Sequence, residues 1–329
     1  MKALVLNGTN GIRDLEYVND RTVPTPLENE IAVKVEAVGL NPVDYELTEG
    51  WGDVERAKKP VLGLDVAGYV HAVGSEVTSF KKGDRVYYHG SLGKDDGGFA
   101  EYACTTAHTV SHLPDKVDFI VAASVPCAGF TAYQAVVRKL KPEKGRTILI
   151  HGGAGGVGGF AVQLAKRLYD LTVFSTCREE NSEYVKSLGA DHTIDYTKKD
   201  TYETIAELTG GRGVDYVVNT VSESTATKDI GALAFGGQLV AIAELPDFSR
   251  IKFYEKGLSI HEVALGGAHI NGDYIAQRDL AKIGDEFAAL LSDGKISPPD
   301  ITQIRLEEIP DYLYKLKERH VRGKIVAKL

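Results

Sequence analysis

The sequence predicts an α/β protein of two domains, one β-rich and barrel-like, the other a doubly wound parallel sheet. Three observations lead there. The first third of the chain alternates apolar and polar residues in short runs. Beyond about residue 145, strand-like and helix-like segments take turns, and a glycine cluster stands where the first of those strands gives way to a helix. With 329 residues the chain is also longer than one ordinary hydrophobic core supports.

Met1-Lys2-Ala3-Leu4-Val5-Leu6 reads as an opening strand. No long apolar region with a small-residue cleavage site follows it, so secretion is not expected. In Glu30-Ile31-Ala32-Val33-Lys34-Val35-Glu36-Ala37-Val38, the residues Ile31, Val33, Val35 and Ala37 share one face, with Lys34 and Glu36 on the other. Similar segments follow at 65–74, 85–90 and 99–107, divided by Lys81-Lys82-Gly83-Asp84 and Asp95-Asp96-Gly97-Gly98. Short strands in quick succession predict an antiparallel, barrel-like arrangement.

Near residue 120 the rhythm changes. A helix is expected from Ile120 to Leu140, then the apolar strand Thr147-Ile148-Leu149-Ile150. Further strands are expected at 171–175, 193–195, 214–220, 237–243 and 259–265, with helices at 157–169, 180–188, 200–208 and 224–233. Six apolar strands separated by helices predict a parallel sheet covered on both faces. A helix from Asp279 to Leu291 and the closing strand Lys324-Ile325-Val326-Ala327 complete the chain, and that strand can return to the first domain. There is no internal repeat and no low-complexity segment.

Composition narrows the function. Hydrophobic residues at 43% and charged residues at 26% are globular values, and no apolar run approaches the roughly 20 residues that span a bilayer. A net charge of −8 argues against a nucleic-acid backbone as partner, while leaving room for a local basic pocket. Cys104, Cys127 and Cys177 are too scattered for a disulfide framework or a CxxC metal site, so a reducing cytoplasm is expected.

The strongest motif is His151-Gly152-Gly153-Ala154-Gly155-Gly156-Val157-Gly158-Gly159, in which Gly153, Gly155 and Gly158 satisfy G-x-G-x-x-G. The pattern alone is weak, but here it follows an apolar strand and opens an amphipathic helix. A tight turn needs glycine at positive φ, and a pyrophosphate needs backbone free of Cβ atoms. The helix start adds unpaired N–H groups and the positive dipole end, so Gly153, Ala154, Gly155, Gly156, Val157 and Gly158 are candidate phosphate-binding residues. The alternative is a purely structural turn.

An NAD-selective site places Asp or Glu at the end of the second strand. Here that strand ends Val173-Phe174-Ser175-Thr176-Cys177-Arg178, with no acid. The hydroxyls of Ser175 and Thr176 and the Arg178 guanidinium suit a 2′-phosphate, with Tyr196 bordering the same pocket, so NADPH is the expected cofactor. The alternative has Arg178 solvated and paired with Glu179 or Glu180.

The segments Gly63-Leu64-Asp65-Val66-Ala67-Gly68-Tyr69-Val70-His71-Ala72-Val73-Gly74, Phe80-Lys81-Lys82-Gly83-Asp84-Arg85-Val86, Gly98-Phe99-Ala100-Glu101-Tyr102 and Thr131-Ala132-Tyr133 join the glycine loop in one order. Together they resemble the medium-chain dehydrogenase/reductase superfamily over nearly the whole chain. The resemblance implies a GroES-like catalytic domain, 1–123 with 267–329, and an inserted Rossmann cofactor domain, 124–266, with the site in the cleft between them. Zinc members carry a catalytic Cys-His-Cys (or acid) set. The first-cysteine region reads Gly39-Leu40-Asn41-Pro42-Val43-Asp44, Gly-His-Glu is replaced by Gly63-Leu64-Asp65, and Cys127 falls one residue from the last ligand. The four-cysteine structural lobe is missing as well. Without thiolate and imidazole ligands no zinc is expected.

Asn41-Pro42-x-Asp44 and Thr131-Ala132-Tyr133 look closest to the zinc-free quinone oxidoreductase (ζ-crystallin-like) group and its alkenal and enone reductase relatives. That resemblance implies Asn41 and Thr131 near the nicotinamide ribose and ring. It puts Ile242, Ala243 and Glu244, together with Leu265, Gly266 and Gly267, at the nicotinamide end, with Gly323 and Lys324 approaching from the tail. It also implies a homodimer through the edge of the cofactor domain near 237–265. Relatives place a tyrosine two residues after the Asp44 position and an arginine beyond, whereas this chain reads Asp44-Tyr45-Glu46-Leu47-Thr48.

The expected reaction passes hydride from NADPH to a small quinone or α,β-unsaturated carbonyl, whose oxygen then needs a hydrogen-bond donor or a proton. Asn41, Tyr45, Trp51 and the N–H groups near Gly266 are candidates, with Asp44 beside them, and water is a sufficient donor to a hydroquinone anion. Against these stand packing for Tyr45, a lid role for Trp51, capping of a helix starting at Tyr45 for Asp44, and structural roles for His89 and His269. His151 and Cys127 form no recognisable nucleophilic set. The rival functions are an NAD(P)-linked alcohol dehydrogenase or ketone reductase, and a non-catalytic, crystallin-like NADPH-binding protein.

Overall fold

The computed structural model describes every residue except 51–58, 253 and 320, so Trp51 lies outside the described residues. The chain divides into two compact units, Met1–Phe130 with Leu265–Gly294 and Asp300–Leu329, and Thr131–Ala264 with Lys295–Pro299. The changeovers fall at Phe130/Thr131 and Ala264/Leu265, where 123/124 and 266/267 are expected from the sequence. Lys295–Pro299 joins the second unit because two side chains hold it there. Gln163 Nε2 donates to Ser297 O at 3.1 Å and its Oε1 accepts from Ser297 N at 2.8 Å, while Arg167 donates to Lys295 O at 3.2 Å.

The first unit carries a seven-stranded sheet in the order Ile301–Arg305, Lys324–Lys328, Glu30–Gly39, Asp65–Val73, Arg85–His89, Ser111–His112, with Tyr102–Thr106 also paired to Glu30–Gly39. The closing strand runs antiparallel to Glu30–Gly39, Val326 opposite Gly39 and Ala327 opposite Val38. In Glu30–Gly39 the alternation holds at the centre, where Lys34 is exposed and Val33 and Val35 are buried. Ala32 and Val38 are buried as well, because the second face of the strand is covered at its ends, in part by the helix Phe119–Ala123.

The single helix expected over Ile120–Leu140 is broken. Phe119–Ala123 forms one helix, capped by the Asp118 carboxylate on Ile120 N at 2.7 Å; wide π-type turns over Pro126–Phe130 and Gln134–Leu140 then flank the short helix Thr131–Tyr133. Pro126 lacks the N–H that would continue the first helix. The strand Ile301–Arg305 and the helix Ile309–Lys317 have no counterpart in the sequence reading.

The second unit is a six-stranded sheet, all parallel, in the spatial order His192–Asp195, Thr172–Cys177, Thr147–Ile150, Val214–Asn219, Leu233–Ala241, Ser259–Glu262. In chain order this is 3-2-1-4-5-6, the doubly wound arrangement. Ile148, Leu149 and Ile150 are fully buried, as a strand covered on both faces requires. The strand order reverses between Thr147–Ile150 and Val214–Asn219, and the glycine cluster leaves the sheet at that point. Among the described residues, no helix is long and apolar enough to cross a membrane.

Candidate functional site

The glycine loop begins where Thr147–Ile150 runs out. His151 N still donates to Val218 O of the neighbouring strand at 3.0 Å, and the chain then turns at Gly152, whose φ is +69°. The strained turn thus falls on Gly152, one residue ahead of the motif's first glycine. Gly153 and Gly158 are needed for close approach instead. A Cβ on Gly153 would lie 2.2 Å from Ser175 Oγ, and one on Gly158 would lie 2.2 Å from Gly152 O. At Gly155 a Cβ would meet nothing nearer than Gly152 O at 3.4 Å, an ordinary contact, so no close approach demands glycine here. Gly155 is the N-cap of the helix Gly156–Tyr169 and offers no side-chain cap. Ala154, Gly155, Gly156 and Val157 are partly exposed, leaving the first N–H groups of that helix available to an anion.

Ser175 and Thr176 do not meet the expectation of hydroxyls turned toward a 2′-phosphate. Both are buried: Ser175 Oγ donates to Ile150 O at 2.9 Å, and Thr176 Oγ1 accepts from Gly152 N at 3.0 Å. As neighbours on one strand they point to opposite faces, and both faces are covered here, Ser175 by Gly153 and Thr176 by Gly152 and His151. Arg178 and Tyr196, by contrast, are brought together. The exposed guanidinium donates to the Tyr196 hydroxyl, and this bond is the first cause of an upward shift in the arginine's pKa. Glu179 pairs with Lys198 at 3.6 Å. Ile242 and Ala243 follow Leu233–Ala241 at the carboxyl edge of the sheet, where Ile242 N donates to Asn219 O at 3.0 Å, and Thr131 opens this unit nearly buried.

The first unit holds a buried polar cluster. Asn41 is the N-cap of the helix Pro42–Thr48, which starts three residues earlier than a cap at Asp44 would allow. Asp44 reaches back and accepts from Asn41 N at 2.8 Å. Asn41 Nδ2 donates to Asp65 Oδ2 at 2.9 Å, and its Oδ1 accepts from the Lys324 ammonium. That ammonium also donates to Leu40 O at 2.9 Å and lies 3.5 Å from Asp65, whose other oxygen accepts from Cys127 N at 2.8 Å. One buried cation is thus shared by two buried carboxyls. Asp65 is the nearer, and Asp44 is pushed up to about 8, first by burial and further by the Asp65 charge, against the opposing pull of the Asn41 N–H and Lys324. Asp44 is therefore mostly protonated at neutral pH, and its Oδ1 has no hydrogen-bond partner among the described residues.

Tyr45 packs in the first unit's core, with the Lys317 ammonium 5.8 Å from its ring centroid, and burial raises its pKa. Leu265 is buried, and Gly266 lies against Leu92, which a Cβ would approach to 2.5 Å. His89, opposite Asp65 in the sheet, stacks at 6.1 Å on His269. Burial pushes both down to about 4, so both are neutral at pH 7. Among the described residues, no group of three or more His, Cys, Asp and Glu side chains is arranged to hold a metal ion.

Sequence reasoning missed two partners. Asp65 entered only as a replaced motif residue, and Asp229, which binds His151, was not singled out. Neither has a local signal, because each works through a residue distant in the chain.

A glycine turn at the switch point of a 3-2-1-4-5-6 parallel sheet defines a Rossmann-type nucleotide-binding unit. The comparisons agree. Residues 27–115 match the family model for the alcohol dehydrogenase GroES-like domain, and residues 156–286 that for a zinc-binding dehydrogenase. The chain is 34% identical over 247 residues to quinone oxidoreductase of Pongo abelii, covering 74% of this chain and 73% of the relative. It is 37% identical over 223 residues to the chloroplastic NADPH-dependent alkenal/one oxidoreductase of Arabidopsis thaliana, covering 64% and 58%. The solved quinone oxidoreductase of Coxiella burnetii superposes with a TM-score of 0.87 at 29% identity, covering 100% of this chain and 99% of that one. The chain belongs to the quinone oxidoreductase group of the medium-chain dehydrogenase/reductase superfamily.

Proposed function

We propose that this protein binds NADPH on the second unit and reduces a small quinone or α,β-unsaturated carbonyl without zinc, the first unit serving as the acceptor-binding domain. The observation that carries the reading is the pairing of an open, uncapped helix start at Gly155 with the Arg178 guanidinium where an NAD-selective site would hold an acid. The residues present fit the dinucleotide: Gly155 leaves its backbone clear for a pyrophosphate, and Arg178 with Tyr196 offers donors to a 2′-phosphate. Bound there, the nicotinamide supplies hydride. The names of the relatives, one for quinones and one NADPH-dependent for alkenals and enones, support the same acceptor class.

Zinc independence is supported by what stands at the candidate ligand positions. Asn41 and Asp65 are bonded to the Lys324 ammonium, and Leu64 is a core residue. A fixed cation there opposes a second one. The Asn41 and Lys324 donors are committed within the cluster, so we assign the final proton to water. We also propose a homodimer through the edge strand Ser259–Glu262 and a cytoplasmic setting, in keeping with three free cysteines.

The test is a parallel assay of NADPH and NADH oxidation with 1,4-benzoquinone, a short enone and a simple ketone, on metal-free protein. Turnover with quinone or enone, faster with NADPH, is expected. Turnover with the ketone alone, or only after zinc is added, overturns the reading.

A further inference from the structure

We propose that Asp229 is a positioning residue for the dinucleotide: through the His151 ring and the Thr176 hydroxyl it holds the Gly152 amide, and with it the phosphate-binding turn. This rests on the reading of the glycine loop as a dinucleotide site.

Asp229 lies on the helix Glu223–Ala232 with its side chain fully buried. Its Oδ1 accepts from His151 Nε2 at 2.8 Å and from the Tyr202 hydroxyl at 3.2 Å, and its Oδ2 accepts from Asn219 Nδ2 at 2.6 Å. Burial, then the Asp229 charge, raises the Tyr202 pKa. A carboxylate has no proton to give, so His151 Nε2 must carry one, and a ring with its proton on Nε2 alone presents Nδ1 as an acceptor. Thr176 Oγ1 stands 3.4 Å from that nitrogen. With its single proton directed to Nδ1, the hydroxyl turns a lone pair to Gly152 N, 3.0 Å away. The carboxylate at one end thus sets the direction of every hydrogen bond up to the loop amide.

The far end of this relay is the place where the loop is most constrained. Gly152 is the loop residue at positive φ. Its carbonyl accepts from Gly155 N at 2.9 Å and lies against Gly158, so a shift of Gly152 moves the N-cap of the phosphate-facing helix. The His151 backbone is pinned separately, its N–H on Val218 O at 3.0 Å and its carbonyl accepting from Thr220 Oγ1 at 3.1 Å. His151, Thr176, Asn219 and Asp229 are all buried, so none is placed to touch the ligand directly. An apolar side chain would fill the Asp229 position at lower desolvation cost. The carboxylate's distinguishing contribution is directional, because a fully satisfied buried network fixes one geometry.

The experiment measures NADPH binding by titration to the full chain, steady-state kinetics, and the histidine ring 15N shifts of the cofactor-free protein. Asp229→Asn keeps the shape but puts an amide N–H against the His151 or Asn219 donor, and Thr176→Val removes only the hydroxyl. Each is expected to weaken NADPH binding roughly tenfold, the loss falling on KM for NADPH more than on kcat. The double variant should be little worse than either single one, because the relay is already broken. The His151 ring should be in the Nε2–H form in the wild type and shift in Asp229→Asn. Unchanged NADPH affinity in folded Asp229→Asn, additive losses in the double variant, or an Nδ1–H ring in the wild type each overturn the proposal. If Asp229→Asn does not fold, Thr176→Val carries the test: unchanged NADPH affinity in that variant, or an Nδ1–H ring in the wild type, overturns the proposal. A wild-type protein that binds no dinucleotide would instead remove the functional reading, and this inference with it.

Discussion

The Lys324 ammonium lies 3.5 Å from the Asp65 carboxylate, and the two side chains are 5% and 0% exposed. A buried pair of this kind is held by mutual compensation: removing one partner strands the other charge in a low dielectric. Lys324→Met is expected to destabilise the protein by about 3–5 kcal/mol, read from urea unfolding. Asp65→Asn in the same chain should recover a good part of that loss. A single variant as stable as the wild type would show that the pair holds nothing together.

Arg178 is expected to discriminate between cofactors. A charge-assisted bond to a phosphate contributes roughly 1.5–3 kcal/mol, or about ten- to a hundredfold in affinity. Arg178→Ala should therefore raise the Kd for NADPH by that factor and leave NADH within about twofold. Equal losses for the two, measured by fluorescence titration, would sink the specificity reading.

Two glycines of the loop should separate folding from binding. Gly153→Ala drives a Cβ to 2.2 Å from Ser175 Oγ and is expected to cost about 1–3 kcal/mol of stability. Gly155→Ala meets no atom closer than 3.4 Å, so its melting temperature should stay near the wild-type value. Its methyl group would instead obstruct the phosphate, raising KM for NADPH by roughly tenfold or more. Comparable thermal melts for the two variants would contradict this division.

Asp44 and His269 should leave opposite marks on stability against pH. Asp44 ionises at 3.8 unfolded but at about 8 folded, facing Asp65, Lys324 and Glu46. The folded state therefore binds the extra proton between those values, and the contribution, full below 3.8, is lost as pH rises toward 8. Asp44→Asn removes that loss, so its stability relative to the wild type should climb by about 1.4 kcal/mol per pH unit through the window. His269 runs the other way. Its pKa falls from 6.5 unfolded to about 4 folded, beside His89, His108 and Lys94, so the wild type should lose stability relative to His269→Phe as pH drops from 6.5 toward 4. Unfolding curves at pH 4.5, 6.5 and 8 check both, and parallel pH profiles for wild type and variants would refute them.

Legibility followed the range of the interactions. The strand Thr147–Ile150, the glycine turn and the helix Gly156–Tyr169 are contiguous, so apolar run, breaker and amphipathic pattern sit within one stretch of sequence. The placement of Arg178 directly after a strand was legible for the same reason. The break at Pro126 was misread because the surrounding residues keep a helical pattern through wide turns that periodicity does not distinguish from an α-helix. Ser175 and Thr176 were placed on the right strand but facing the wrong way, since which hydroxyl is covered depends on the loop packed above it.

By itself, then, the sequence determined the alternation of strands and helices, the glycine turn and the absence of an acid after the second strand, because each is encoded by neighbours in the chain. Only the tertiary structure decided that Lys324 would neutralise Asp65 beside Asn41, 283 residues away, and that Asp229 would orient the ring of His151, 78 residues before it. A buried charge is tolerable only where a partner reaches it. Which residue supplies that partner is settled by how the sheets fold back, not by anything adjacent in the sequence.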